Sequence, residues 1–372
     1  MPLSGSKKSS RQGSLTSIDA EIRQRTSQGV LSKSEIEELQ TALLTWFDRN
    51  KRDLPWRRTK DPYSIWISEI MLQQTRVSAV VPFYERFLAR FPDCRALAEA
   101  PEDDLLAHWA GLGYYHRARN LQKAAKELRE SGFPADYTAI RALPGIGEYT
   151  SAAIASIAFE LPHASVDGNV LRVLSRLFAD ATDIGSGPGR KHFTKLAEAL
   201  LARDRPGAFN QGMMELGATI CLPKNPQCLV CPGASICRAR RSGRQNAFPV
   251  KLGRMKMVEE RRRLFWIQQE QRLLMWQRPQ ESRLMPGFWE LPEEAQLPEA
   301  KASRPVGTFR HGITFHNYRF ELYRADAGNL IGPCKWVPID ALEQMPVSTV
   351  VRKAQRLIAG KAAHHAAKTI KI

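Results

Sequence analysis

Four cysteines fall within one short stretch, Cys221, Cys228, Cys231 and Cys237, spaced C-x6-C-x2-C-x5-C. The other two, Cys94 and Cys334, lie far away on either side. A disulfide framework spreads its cysteines along the chain, so this crowding points to a metal site in a reducing compartment. Four thiolates hold either a tetrahedral zinc or a [4Fe–4S] cube. Structural zinc favours two short knuckles, and here only Cys228 and Cys231 are that close. Pro223, Pro226 and Pro232 suit a rigid wrap around a larger object. The spacing favours the iron–sulfur cluster and leaves zinc as the alternative.

The 372 residues, 43% of them apolar, suffice for two cored domains. Lys and Arg exceed Asp and Glu by 55 to 38, a net +17. An excess of that size points to a polyanionic partner, with nucleic acid the first candidate. No run of apolar residues reaches a membrane span, so no membrane partner is expected. Residues 1–33 are rich in Ser, Lys, Arg and Gln without an apolar stretch, and read as a disordered basic leader and not a secretory signal. A monomer is expected, cytoplasmic and nucleoid-associated if the source is bacterial.

From Ser34 to about Ala202 the pattern is helical. Ile36, Leu39, Leu43 and Phe47 mark one apolar face, with Ser34 and Glu37 as a capping box. Further helices are expected from Ser64, Ala79, Glu102, Ala118, Thr150, Asn169 and Gly189. The fold class is therefore mainly α for residues 34–240, with the cysteine loop at 221–237. A basic linker at 241–258 follows, either a solvated tether or a strap along phosphates. Leu264–Ile267 and Leu273–Trp276 read as strands flanking a polar turn, and Tyr318, Phe320 and Leu322 alternate with polar residues. Pro338–Leu342 and Thr349–Ile358 look helical. Residues 259–359 thus form an α+β domain, and 360–372 a short basic tail.

Three segments carry possible chemistry. Leu143-Pro144-Gly145-Ile146-Gly147 lies between two helices, and Gly145 and Gly147 permit close approach of a phosphate to the backbone. It is either an ordinary turn or a sequence-independent DNA element. Asp167 opens a helix in Val166-Asp167-Gly168-Asn169. An N-cap there is compatible with a catalytic carboxylate, fixed in place and ionised. Glu69 sits in a helix read as Ser64 to Val77, on one face with Gln73 and Arg76. It is either solvated or partly desolvated in a cleft, where it would serve as a general acid.

The order of these segments resembles the MutY-type adenine DNA glycosylases of the helix–hairpin–helix superfamily. The carriers are Ser68-Glu69 with Met71-Leu72-Gln73-Gln74-Thr75, then the Leu143–Gly147 hairpin, Val166-Asp167-Gly168-Asn169-Val170 and the four cysteines. The resemblance implies that Glu69 protonates a flipped adenine and Asp167 stabilises the oxocarbenium-like sugar, with Asn169 as its polar partner. It implies that Gln74 and Thr75 probe the lesion, that Tyr114 wedges into the duplex, and that Arg57, Gln211 and Glu215 line the adenine pocket. It implies a [4Fe–4S] cluster on Cys221, Cys228, Cys231 and Cys237. It also implies duplex DNA with adenine opposite 8-oxoguanine or guanine as the partner, and base excision by hydrolysis as the activity.

The related endonuclease III branch carries a nucleophilic lysine two residues after the second hairpin glycine. Here that place holds Tyr149, so no amine is available for a Schiff base, and a monofunctional enzyme is expected. Leu284–Pro292 resembles a Nudix-like segment. The acidic metal-binding helix of a hydrolytic Nudix domain is missing, so a lesion-recognition module is expected. Where the family has Phe-Ser-His, this chain has Ile313-Thr314-Phe315, leaving Thr314 as the hydroxyl and His316 one place late, on the opposite strand face. Two alternatives stand beside this reading. One is an endonuclease III-type glycosylase and lyase, against which Tyr149 argues. The other is a non-enzymatic, metal-stapled DNA-binding protein, which would need neither Glu69 nor Asp167.

Overall fold

The computed structural model describes residues 31–253, 257–282, 285–298, 305–313, 315–326 and 334–369. In chain order the helices are α1 (Lys33–Asn50), α2 (Pro62–Leu72), α3 (Val77–Arg90), α4 (Cys94–Glu99), α5 (Glu102–Trp109), α6 (His116–Leu128), α7 (Tyr137–Ala142), α8 (Glu148–Phe159), α9 (Gly168–Leu177), α10 (Gly187–Leu200), α11 (Pro206–Thr219), α12 (Arg238–Arg241) and α13 (Thr349–Thr369). The strands are β1 (Val258–Trp266), β2 (Gln268–Gln269), β3 (Arg272–Gln277), β4 (Trp289–Glu290), β5 (Pro305–Ile313), β6 (His316–Arg324) and β7 (Cys334–Pro338). The chain divides into two compact units. One holds residues up to Arg52 together with Glu160–Leu252, and the other Asp53–Phe159 together with Gly253–Ile372.

In the first unit α1, α9, α10 and α11 share a core that includes Leu39, Leu43, Leu174, Phe193, Phe209 and Met213. The capping box of α1 is two residues earlier than expected: Ser32 accepts from the Glu35 N–H, and Glu35 reaches back to the Ser32 N–H. Both serines satisfy the same pattern. Ser32 prevails because Leu31 before it is buried and Ile36 packs on the same core, as a hydrophobic staple requires. Gly217 on α11 permits its closest approach to α9, since a Cβ there would lie 2.6 Å from that of Asn169.

In the second unit α2 is almost wholly buried, from Tyr63 to Met71. It ends at Leu72, five residues short of the expected Val77. Gln74 takes φ +58°, which breaks the helix, so Gln73 and Arg76 do not continue the face of Glu69. Arg117, itself buried, repairs the broken end. One guanidinium nitrogen donates to the carbonyls of Ile70 (2.7 Å), Met71 (3.2 Å) and Gln73 (2.7 Å), groups with no partner inside the helix. Helix α4 was not expected from the sequence, and α7 only as the helix before the hairpin; each is short and capped by an aspartate, Asp93 and Asp136.

The α+β part of this unit has two sheets, β1-β6-β5 and a second built on β3 with β2, β4 and β7. Leu264–Ile267 and Leu273–Trp276 flank a polar turn as expected, and the Leu274 N–H donates to the Ile267 carbonyl at 2.9 Å. β1 runs parallel to β6 along its length, and only the two-residue β2 forms the turn with β3. Leu264 and Trp266 of β1 join a core with Leu273, Leu322 and Val351, while Phe265 faces a second cluster with Ile267 and Leu274. α13 runs on to Thr369, past the expected start of the tail, and Pro338–Leu342 is strand end and a 3-10 turn, Asp340–Glu343. Among the described residues no helix is long and apolar enough to cross a membrane.

Candidate active site

In the second unit Glu69 is 5% exposed, so the desolvated reading holds. The hydroxyl of Tyr149, in the first turn of α8, donates to its Oε2 at 2.6 Å. The side chain that replaces an amine thus also touches the glutamate. Gln73 donates to Thr150 on the same helix at 3.3 Å, a second tie between the end of α2 and α8. Gln74 and Thr75 form the break after α2, and the Thr75 hydroxyl bonds the Gln73 carbonyl. Arg57 is half-buried in a 3-10 turn at Pro55–Arg57.

The turn between α7 and α8 is Leu143–Gly147, which makes this a helix–hairpin–helix. Gly145 has φ +76°, and a Cβ there would lie 2.6 Å from that of Asn120. Only glycine meets both demands. Gly147 is exposed at the mouth of α8, which begins at Glu148, two residues earlier than expected. Tyr114 is 37% exposed with φ +50°, next to Gly113 at φ +70°. Trp109 and Arg117 donate to the Gly113 carbonyl at 3.0 and 3.1 Å, and hold that backbone in place. Thr314 lies outside the described residues. Its neighbour His316 is committed to Glu260 at 2.6 Å, while Phe315 is 38% exposed.

In the first unit Asp167 caps α9. It accepts from the Val170 N–H at 2.7 Å and the Asn169 side chain at 2.9 Å. Those donors favour its charge, but burial outweighs them and pushes its carboxyl above the usual range. A helix start is legible in the sequence, whereas that burial depends on the fold. Asn169 in turn accepts from Arg172, which also donates to the Cys221 and Gly217 carbonyls. One turn on, Arg176 donates to the Cys221 sulfur at 3.3 Å and to the carbonyls of Leu222 and Pro223. Two arginines of α9 thus pin the cysteine loop to the helix that Asp167 caps. On α11, Gln211 is half-buried, and Glu215, 1% exposed, takes a bidentate bond from Arg52 at 2.7 Å on each oxygen. Arg52, Arg172, Arg176 and Arg117 were not singled out from the sequence. Most of their partners lie far along the chain, and no local pattern marks them.

Cys221, Cys228, Cys231 and Cys237 line one cavity, with Arg176 and Arg240 beside them. Burial pushes the Cys231 thiol up to about 12, with the other three sulfurs near enough to add to the effect. Among the described residues no three His, Cys, Asp or Glu side chains converge closely enough for a single ion. Four sulfurs around one cavity, with Arg176 and Arg240 beside them, form a donor set that fits an anionic metal–thiolate centre.

Residues 67–201 match the family model described as HhH-GPD superfamily base excision DNA repair protein. A thermostable thymine-DNA glycosylase has a similar structure, with a TM-score of 0.51 at 30% identity, over 56% of this chain and 98% of that one. The hairpin, the helical fold and this match define the class: a helix–hairpin–helix base-excision repair protein. Adenine DNA glycosylases are similar over longer stretches. The rat protein is 43% identical over 58% of this chain and 45% of its own length. The Arabidopsis thaliana protein is 37% identical over 74% and 50%. That of Buchnera aphidicola from Schizaphis graminum is 35% identical over 63% and 71%. The chain belongs to the adenine DNA glycosylase family. It spans about half the length of the rat and Arabidopsis relatives.

Proposed function

We propose that the chain excises adenine opposite 8-oxoguanine or guanine in duplex DNA by hydrolysis, without cutting the strand. The observation that carries this is the buried Glu69 held by the Tyr149 hydroxyl. Adenine leaves poorly as an anion, and protonation before C–N cleavage makes departure feasible. Glu69, buried and in contact with the Tyr149 hydroxyl, is the carboxyl to which this reading gives that proton transfer. Asp167 supplies the negative charge that the sugar needs as the base departs, with Asn169 orienting it. Arg57 in one unit, and Gln211 and Glu215 in the other, are the residues this reading assigns to adenine recognition. Gln74, Thr75, Tyr114, Gly145, Gly147 and Thr314 meet the DNA or the lesion. A base must leave the stack to be cut, which is the work assigned to Tyr114. Residues 34–240 carry the chemistry and 259–359 the lesion reading, and the protein acts in the cytoplasm, at the nucleoid in a bacterium.

Single-turnover release from duplexes with adenine opposite 8-oxoguanine, opposite guanine and opposite thymine tests the reading. Strand breaks on the first two, visible only after alkali, are expected. Nicking without alkali on an oxidised pyrimidine, with adenine untouched, would place the chain in the lyase branch. The acid limb of the rate profile should lie above the ordinary carboxylate range of ~3.9, because burial raises Asp167 and its protonation removes the stabilising charge. An Asp167→Asn variant with residual activity that keeps the same limb would assign that limb elsewhere.

Cys221, Cys228, Cys231 and Cys237 would hold the [4Fe–4S] cluster. Bound there, it supplies a rigid cross-link between the loop and, through Arg172 and Arg176, the helix capped by Asp167. Purified protein is expected to be brown with ~4 irons per chain. Stoichiometric zinc in colourless, folded protein would overturn the assignment.

A further inference from the structure

Tyr114 and Tyr115 are neighbours with opposite surroundings. Tyr114 is 37% exposed, whereas Tyr115 is 4% exposed. The Tyr115 ring packs on Phe288 with centroids 3.9 Å apart. Its hydroxyl makes no hydrogen bond of normal geometry, and lies near Glu290 of β4 and near Thr349 and Arg352 of α13. A helical segment has therefore put its aromatic side chain into the α+β part of the same unit. One turn further on, Arg119 donates to the Pro286 carbonyl at 2.7 Å, beside the same loop. Neither contact is needed to build α6, whose own buried face runs through Ala118, Leu121 and Ala125.

We propose that Tyr115 is a specificity-determining positioning residue, a latch that ties the backbone of Tyr114 to the α+β part through Phe288. Tyr114 sits in a left-handed conformation that a tyrosine adopts only when its surroundings impose it. Arg117 and Trp109 hold the Gly113 side of it, and Tyr115 holds the other. Movement of the loop at Pro286–Phe288, when the α+β part engages a base, is passed to Tyr114 across one residue. This rests on the function proposed above, and it assigns the transfer of lesion information to a contact remote from residues 313–316.

The test uses the full chain and the ratio of single-turnover rates with adenine opposite 8-oxoguanine and opposite guanine. Tyr115→Ala and Phe288→Ala should each lower that ratio by about tenfold or less, the worth of one buried aromatic pair, while the rate opposite guanine stays within about twofold. The double variant should fall no further than either single one. Tyr115→Phe keeps the ring and should keep the ratio. A merely structural role would lower both rates together and leave the ratio alone, and that result overturns the latch. If Tyr115→Ala fails to fold, Phe288→Leu reads the same contact from the other side. A parent protein indifferent to the oxidation of guanine would sink the proposed function itself. A parent preference that survives in both alanine variants would sink the latch only.

Discussion

Glu69→Gln should bind an adenine-mispaired duplex like the parent protein and release adenine about 10²- to 10⁴-fold more slowly, the usual span for loss of a general acid. The substitution keeps the volume, so the buried face of α2 stays packed. The Tyr149 hydroxyl can still donate to the amide oxygen, so the tie to α8 is retained. What disappears is a group able to give up a proton. A neutral amide also costs less to bury than a carboxylate, so the thermal midpoint should hold or rise. Duplex binding, single-turnover release and thermal unfolding together separate the outcomes. Release at the parent rate would show that the acid is elsewhere, and loss of binding would show that Glu69 shapes the site and does not act in it.

The sequence carried the parts of this site that are local. Asp167 as an N-cap, the glycines of the hairpin and the four cysteines each satisfy a rule that operates within a few residues. What it did not carry depends on contacts between distant segments. Two serines offered the same capping box, and only the burial of Leu31 against the core chose between them. The periodicity of Glu69, Gln73 and Arg76 looked like one face, but φ +58° at Gln74 ends the helix, and the cost is offset by Arg117 from α6. The apolar run Leu264–Trp266 read as a strand, but its parallel partner at Leu322–Arg324 lies too far along the chain for any local pattern to name it. Glu215 read as a pocket residue, and nothing near it in the chain announced the guanidinium of Arg52. Arginines serve repeatedly as the long-range connectors here, since one planar fork can satisfy several carbonyls at once.

Tyr149→Lys should turn part of the product into nicked strand without alkali, and slow adenine release by about tenfold or more, which is ~1.4 kcal/mol of barrier or more. The side chain at 149 opens α8 and already reaches Glu69, so an amine there lies beside the group proposed to protonate the base. Its nitrogen would attack the sugar C1′ and displace adenine, whose bonding pair takes the proton from Glu69. The nitrogen sheds its extra proton, the C1′–O4′ bond opens with O4′ taking a proton, and the resulting iminium acidifies C2′, whose proton loss expels the 3′ phosphate. Borohydride would reduce the iminium and leave a covalent protein–DNA adduct. The slower release follows from the same proximity. An ammonium next to a carboxylate stabilises both charges, so the lysine is less nucleophilic and Glu69 less able to donate. Tyr149→Phe separates the two effects, since it loses the hydroxyl without gaining an amine and should trap no adduct. Trapping with lysine but none with phenylalanine would establish that position 149 faces the sugar. An absence of adduct from a lysine variant that still releases adenine would mean that the contact with Glu69 directs this side chain away from the reacting carbon.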